Sequence, residues 1–359
     1  LLETVALLSA ALVAVMYKES DGYYFLISAG ITLVLGVLGI LAGLNASPYL
    51  GRREGSFIVT FIWIVFTLFG LLPFWISGSI PSFTDAFFET ISGFTTTGAS
   101  ILNNIEELSH SILYWRSLTH WIGGLGIIVI SLAILPVFGV SGTQLFVAES
   151  AGPTKDKIHP KINETAKRLF LIYIILTSSE AILLRIGGMG WFDAICHSFA
   201  TIATGGFSTK QASVGYWNSP YIQYVITIFM LLSGVNFSLY YFGFKNKFSK
   251  LFKNEELKYY LITLIAFSIM VAVSLIDFSH GFSFSNLELA WRNAFFNVTS
   301  CMTTTGFATV DYMYWQTYTW IILLIVMIIG ASAGSTSGAI KMVRIVIAVK
   351  YCYYEVKKM

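Results

Sequence analysis

Apolar residues in this chain come in long blocks rather than in narrow stripes. The main runs are Leu1 to Met16, Phe25 to Leu44, Phe57 to Ile76, Ile112 to Val140, Leu169 to Ile186, Tyr221 to Phe242, Tyr259 to Ile276, and Trp320 to Ile329, the last continuing past a break of small residues. A helix of about 20 residues crosses the roughly 30 Å hydrocarbon core of a bilayer, and most of these runs are near that length or beyond it. The pattern predicts an all-α polytopic membrane protein with no soluble domain competing for space.

Composition agrees. The 359 residues are 56% hydrophobic and 16% aromatic but only 11% charged, with a mean hydropathy of +0.73, which lies outside soluble composition. Charge adds orientation, because basic residues in short loops mark the cytoplasmic side. Arg52 and Arg53, then Lys155, Lys157, Lys161, Lys167 and Arg168, then Lys245, Lys247, Lys250, Lys253 and Lys258, and finally Lys341, Arg344, Lys350, Lys357 and Lys358 make 17 of the 22 basic residues. These clusters fall at alternate ends of successive spans. The other side keeps Lys18, Arg116, Arg185, Lys210 and Arg292 and holds Asp85, Glu89, Glu106, Glu107, Asp193, Glu288 and Asp311. Juxtamembrane charge accounts for the basic clusters without nucleic acid. Leu1 to Met16 has no basic leader, so no cleaved signal peptide is expected and the sequence is read as beginning inside a helix. Cys196, Cys301 and Cys352 form no even framework and no CxxC pair, and the five histidines are scattered, so no resident metal is expected. His197 reads as a satisfied core residue.

Internal repetition is the most informative feature. Three segments align without a gap: DAFFETISGFTTTGAS from Asp85, DAICHSFATIATGGFS from Asp193 and NAFFNVTSCMTTTGFA from Asn293. Each places a glycine at the same point (Gly98, Gly206, Gly306), with a threonine two residues before it (Thr96, Thr204, Thr304). The copies are 108 and 100 residues apart, enough for two spanning helices and the piece between them. A Tyr-Trp pair follows each copy (Tyr114-Trp115, Tyr216-Trp217, Tyr314-Trp315), which suits the membrane surface where the next helix enters. The segment before each glycine is about ten residues long, too short to span but long enough for a re-entrant half-helix. The unit is therefore helix, short pore helix, Thr/Gly loop, helix, with all three loops on the acidic, outer side. Two extra helices joined at Lys18 to Gly22 precede the first unit. The expected division is 1–50 for those helices and 51–145, 146–248 and 249–359 for three pore repeats.

Irregular backbone at membrane depth is tolerated only within protein or along a water-filled cavity. Carbonyls of such loops can replace the hydration shell of a monovalent cation. Glycine accepts positive φ and lets successive carbonyls face an axis, while threonine hydroxyls add oxygens and tie the loop to its helix. No carboxylate lies within TTTGAS, ATGGFS or TTTGFA. The candidate ion-binding residues are Thr96, Thr97, Gly98, Thr204, Gly205, Gly206, Thr304, Thr305 and Gly306. The plainer alternative, ordinary turns between spans, accounts for one such loop better than for three in register.

These repeats resemble those of the Trk/Ktr/HKT superfamily of K⁺ transporters, and the whole chain resembles its bacterial Trk-type membrane subunits. Supporting stretches are GRREGSF from Gly51, LLPFWIS from Leu71, HWIGGLGIIVISLAILPVFGV from His120, ESAGPTKDKIHPKINETAKRL from Glu149 and GASAGSTSGAIK from Gly330. The resemblance implies K⁺ uptake through a channel-like pore, possession of a selectivity filter with one glycine per repeat, and preference for K⁺ over Na⁺ where every repeat has its glycine. It implies a multi-pass protein of the bacterial cytoplasmic (inner) membrane, a homodimer, and a cytoplasmic nucleotide-binding regulatory subunit. Glu149 to Arg168 and Lys245 to Lys258 are the expected docking loops. Both channel and symport modes remain open, and no covalent cofactor is implied. The family's fourth unit would follow Met359, so a longer protein is expected.

Gly330, Ala331, Ser332, Ala333, Gly334, Ser335, Thr336, Ser337 and Gly338 form a second small-residue stretch. It is no fourth filter: Gly334 is 28 residues past Gly306, and a new unit needs about 60 at 1.5 Å per residue. Nine consecutive small residues favour a broken helix, since glycine costs up to ~1 kcal/mol relative to alanine within one. By resemblance this stretch is an intramembrane gate below the filter; by spacing alone, Gly330 and Gly334 also suit close helix packing. GASAG further matches the nucleophile pattern of serine hydrolases at Ser332, which makes an intramembrane serine protease the alternative from another class. That motif requires a preceding strand and a histidine nearby in space.

Overall fold

The computed structural model describes residues 1–45, 52–124, 126, 162–244, 253–276 and 283–358. Its named elements are all helical. The two extra helices are α1 (Leu2–Tyr17) and α2 (Gly22–Gly43). The first unit follows with α3 (Arg52–Gly70), α4 (Leu72–Ile76), pore helix α5 (Phe83–Phe94) and α6 (His110–Gly124). The second comprises α7 (Ile162–Ile186), pore helix α8 (Trp191–Ile202), α9 (Pro220–Ser233) and α10 (Phe237–Phe244). The third has α11 (Glu255–Leu275), pore helix α12 (Phe284–Met302), α13 (Thr317–Ile328) and α14 (Met342–Lys358).

Helix starts follow local chemistry. Ser82 accepts from the Asp85 N–H at 3.4 Å, Ser219 accepts from Ile222 N at 3.5 Å beside Pro220, and Asn254 accepts from Leu257 N at 2.8 Å. Each supplies an acceptor to a helix end that lacks one, and proline at the first helical position gives up an N–H that has no partner there. Outside the spans, Glu19 in the α1–α2 turn accepts from His110 N at 2.7 Å and Ser111 N at 3.0 Å, which ties that turn to the start of α6. Burial pushes the Glu19 carboxyl up, but these N–H donors outweigh it and leave it below its ordinary value. The contribution is therefore present at neutral pH and is lost as pH falls through the lowered value.

Packing repeats from unit to unit. α5 lies against α3 and α6, α8 against α7 and α9, and α12 against α11 and α13. In addition α8 meets α6 and α12 meets α9, so each later pore helix also touches the outgoing helix of the unit before it. Each unit has its own apolar core, with Phe94 and Trp115 in the first, Ile226 and Met230 in the second, and Leu264 and Val326 in the third.

The polarity of the helices is inverted relative to a soluble bundle. On α2, Ser28 and Thr32 are buried while Val34, Leu38 and Leu41 are exposed; Thr32 pairs with Thr4 of α1 at 3.1 Å. Ile262, Ile269 and Val273 of α11 and Ile321, Leu324 and Met327 of α13 are likewise exposed. With lipid outside, small and hydroxylated residues serve helix contact and large apolar ones face the tails. Three described helices, Gly22–Gly43, Lys167–Ile186 and Glu255–Leu275, are long and apolar enough to span. This is a membrane fold.

Several expectations change in detail. The Phe57 to Ile76 run is divided at Leu71 between α3 and α4, where Pro73 opens a new helix, and the Tyr221 to Phe242 run breaks after Ser233. The third pore helix has 19 residues against 12 in each of the others. Helical sequence from Phe284 runs without a breaker into the repeat, whereas Pro81 with Ser82 and Gly190 delimit the first two. Trp115 is fully buried five residues into α6 with its indole N–H on Gly70 O at 2.9 Å, so protein surrounds its ring. Tyr216 and Tyr314 are exposed as expected. The Ile112 to Val140 run past Gly124, the loop Glu149 to Lys161 and Lys245, Lys247 and Lys250 lie outside the described residues.

Topology is testable on exposed positions. Cysteine at Asn104 or Gln211 should react with an impermeant thiol reagent from outside intact cells, and cysteine at Lys253 should not. Lys253 is the position to use because its neighbour Asn254 caps α11. Labelling at Lys253 from outside would reverse the orientation.

Candidate ion-coordinating site

The three pore helices end in the same backbone. Thr96, Thr204 and Thr304 have φ of 54°, 54° and 56°, and Gly98, Gly206 and Gly306 have φ of 75°, 80° and 85°. Between them, the N–H groups of Thr97, Gly205 and Thr305 return to the carbonyls of Ser92, Ala200 and Ser300 at 2.9, 2.8 and 2.9 Å. Left-handed backbone costs a residue with a β-carbon roughly 1–2 kcal/mol, and a β-branched one is a marked outlier there. Three threonines held in it at one register are strain concentrated where the chain leaves its helix.

Hydroxyls hold the strained turns. Thr95 Oγ1 donates to Ile91 O at 2.6 Å and Thr303 Oγ1 to Thr299 O at 2.8 Å; each also pairs with the hydroxyl two residues on, Thr97 or Thr305, at 2.8 Å. Ser92 Oγ reaches Ala99 O at 2.6 Å and Ser300 Oγ reaches Phe307 O at 2.7 Å. The second unit has Ala203 and Ala200 at these places, and there Thr204 Oγ1 bonds Ala203 O at 2.7 Å.

A further anchor escaped sequence reasoning. The fifth residue of each aligned segment is polar and buried: Glu89, His197 and Asn297. Each ties its helix to the strand leaving the loop. Glu89 accepts from Ser100 Oγ and Ile101 N, both at 3.0 Å; His197 Nε2 meets Ser208 Oγ at 2.9 Å; Asn297 Nδ2 donates to Thr309 Oγ1 at 3.3 Å. The common polarity of that column was the available signal. His197 is a satisfied core residue as read, with Nδ1 on Asp193 O at 2.8 Å.

The loops meet one another in order. A β-carbon on Gly98 would lie 1.9 Å from the Gly205 carbonyl oxygen, and one on Gly206 would lie 1.9 Å from the Thr305 carbonyl oxygen, while one on Gly306 meets nothing within 4 Å. Gly98 of the first loop thus packs on Gly205 and Gly206 of the second, and Gly206 on Thr305 and Gly306 of the third.

Next to the loops, the outgoing helices carry small residues where they cross the pore helices. A β-carbon on Gly123 would be 1.9 Å from Phe94 O, one on Gly124 2.6 Å from Ala203 Cα, and one on Gly234 3.0 Å from both Ala331 and Thr303 side chains. In the third unit the crossing is a full interruption: α13 stops at Ile328 and α14 begins at Met342. Its backbone groups find partners in the protein. Gly330 N bonds Ile340 O at 2.9 Å, Met342 N bonds Ala331 O at 3.0 Å, Ser332 N bonds Gly234 O at 3.0 Å, and Gly334 O accepts from Phe237 N at 3.0 Å. Side chains complete the set: Ala333 N donates to Glu256 at 2.7 Å, Thr336 Oγ1 to Ile202 O at 3.0 Å, Gly338 N to Thr304 Oγ1 at 2.7 Å, and Lys341 Nζ to Ser337 O. The segment from Gly330 to Gly338 thus touches the second pore-helix end and the third loop's strained threonine. It is an irregular connection, not a helix in close packing.

Ser332 has none of the features of a nucleophile. Its hydroxyl is buried and makes no hydrogen bond among the described residues, and a helix rather than a strand precedes it. A cleft of about 500 Å³ between Asp21, Ser79, Asn104 and Glu107 lies beside the first unit and includes none of the loop residues.

Residues 41–359 match the family model TrkH, described as cation transport protein. The chain is 41% identical over 350 residues to the Trk system potassium uptake protein TrkH of Escherichia coli (strain K12), covering 97% of this chain and 72% of that protein. It is 35% identical over 361 residues to Trk system potassium uptake protein TrkG of the same organism, covering 100% and 74%. The crystal structure of the potassium transporter TrkH from Vibrio parahaemolyticus superposes with a TM-score of 0.86 at 35% identity, covering 99% of this chain and 73% of that one.

The glycine geometry ranks three substitutions. Alanine at Gly98, Gly206 or Gly306 shares a φ cost of about 1 kcal/mol, and the first two add overpacking of about 1–3 kcal/mol against backbone. Thermal unfolding in detergent should therefore show larger losses for Gly98→Ala and Gly206→Ala than for Gly306→Ala. Equal losses would contradict the loop contacts.

Proposed function

This chain belongs to the TrkH family of cation transport proteins, and from that premise we propose that it takes up K⁺ through a pore whose filter is made by the three Thr/Gly loops. The observation that carries this reading is the threefold repetition of one strained backbone, positive φ at Thr96, Thr204 and Thr304 and again at Gly98, Gly206 and Gly306. Neutral carbonyl and hydroxyl oxygens are the ligand set a monovalent ion needs.

Gly330 to Gly338 is the proposed gate. It lies inward of the loops and is held by separate hydrogen bonds to four helices, at Ile202 of α8, Ser233 and Gly234 at the end of α9, Phe237 of α10 and Glu256 of α11, a pattern that can be released piece by piece. Lys341 and Glu256 anchor its inner end. The protein would work in the bacterial cytoplasmic membrane as a homodimer. A cytoplasmic nucleotide-binding regulatory subunit would act on the basic inner loops. Uptake driven by the membrane potential and symport with a second ion are both compatible with such a pore.

Two measurements in liposomes, normalised to protein amount, test the reading. Gly306→Ser, which meets no backbone obstacle, should lower K⁺ over Na⁺ discrimination several-fold; unchanged discrimination would remove the filter. Deleting Ser332 to Ser335 should raise flux and weaken its dependence on the regulatory partner. Unchanged or reduced flux in folded protein would leave the segment a structural connection.

A further inference from the structure

Behind the first and second loops lies a charged pair buried more completely than any other in the described residues. Arg116 on α6 meets Glu89 on pore helix α5 at 2.6 Å, with the side chains 3% and 0% exposed. Neither partner is confined to its own unit's helix packing. Glu89 takes hydrogen bonds from Ser100 and Ile101, which leave the first loop. Arg116 Nη1 donates to Ser208 O at 2.9 Å, and its guanidinium carbon lies 3.6 Å above the Phe207 ring; both residues leave the second loop. The other face of Phe207 stacks on His120 at 3.9 Å, and His120 in turn packs against Gly205, where a β-carbon would be 2.3 Å from the imidazole Nδ1.

The link between the second and third loops is made differently. Gly215 N bonds Ala308 O at 3.0 Å and Ala308 N bonds Ser213 Oγ at 3.3 Å, so backbone joins them directly. The buried arginine near that junction, Arg292, bonds Glu288 and Gln223, neither of which is a loop residue. Among the described residues, the Glu89–Arg116 pair is the ion pair that bonds the segments leaving two loops at once. A planar guanidinium with fixed donors sets distance and angle together, and a pair so deeply buried is better at fixing one arrangement than at stabilising the fold.

We propose that Glu89 and Arg116 are positioning residues for K⁺ selectivity. By holding Ser100 and Ile101 at one end and Phe207 and Ser208 at the other, they set the spacing between the carbonyls of the first and second loops. The proposal rests on the filter reading above.

The test compares the Glu89→Gln/Arg116→Gln double variant, which removes both charges without leaving one buried alone, with Arg116→Lys and with Gly306→Ser in the intact protein. The readouts are the K⁺/Na⁺ flux ratio in liposomes and, separately, thermal unfolding. The ratio should fall at least about threefold in the double variant while total flux persists, as expected when ligand spacing rather than pore integrity is altered. Arg116→Lys keeps the charge but loses the fork to Ser208 and should be intermediate. Where the double variant does not fold, Arg116→Lys and Ser100→Ala carry the decision. An unchanged ratio in the folded variants, with Gly306→Ser lowering it, overturns this role and leaves the filter standing. An unchanged ratio in all of them, Gly306→Ser included, removes the filter reading and this proposal with it.

Discussion

Backbone that leaves a helix inside a bilayer has no water to turn to, so each freed N–H and C=O must find a partner in the protein. This constraint shapes the chain at four places: the three Thr/Gly loops and the interruption from Gly330 to Gly338. At the loops, the N–H of the middle residue folds back onto its own pore helix, a serine or threonine hydroxyl caps a carbonyl, and the buried polar column of Glu89, His197 and Asn297 catches the departing strand. At the interruption the partners come from α9, α11 and the second and third pore-loop regions.

Strain and support are matched. Three threonines with positive φ each cost about 1–2 kcal/mol, an amount that a hydrogen bond back to the pore helix and a side-chain anchor can offset. Small residues then let neighbouring backbones close on the site, as Gly123 does on Phe94 and Gly234 on Ala331 and Thr303. The same logic governs the lipid face, where Thr4 and Thr32 pair between helices and the leucines and isoleucines turn outward. Function and fold thus use one rule: polar groups are satisfied inward, and apolar bulk is spent on lipid.

Much of this was legible beforehand because it depends on local pattern. Blocks of apolar residues and three ungapped copies of a Thr/Gly segment are properties of neighbours in sequence. So is the breaking of a helix by nine consecutive small residues. What stayed hidden depends on residues far apart in the chain. Nothing in the three aligned segments shows that Glu89 would find Arg116 or that Arg116 would reach Ser208, because the first contact follows from how α5 lies on α6 and the second from how one unit lies on the next. The burial of Trp115 stayed hidden for the same reason: its indole N–H finds Gly70 at the end of α3, 45 residues earlier. The extra length of the third pore helix was more accessible, since the residues from Phe284 onward contain no breaker.

The central claim is that carbonyls of residues 96–98, 204–206 and 304–306 together hold a dehydrated monovalent cation. Anomalous scattering from Rb⁺ exchanged into crystals of the intact protein addresses it directly. The account predicts Rb⁺ peaks on the line enclosed by the three loops, lost or weakened when Na⁺ replaces Rb⁺. Peaks elsewhere in the protein with none between the loops, or equal occupancy by Na⁺, would contradict it.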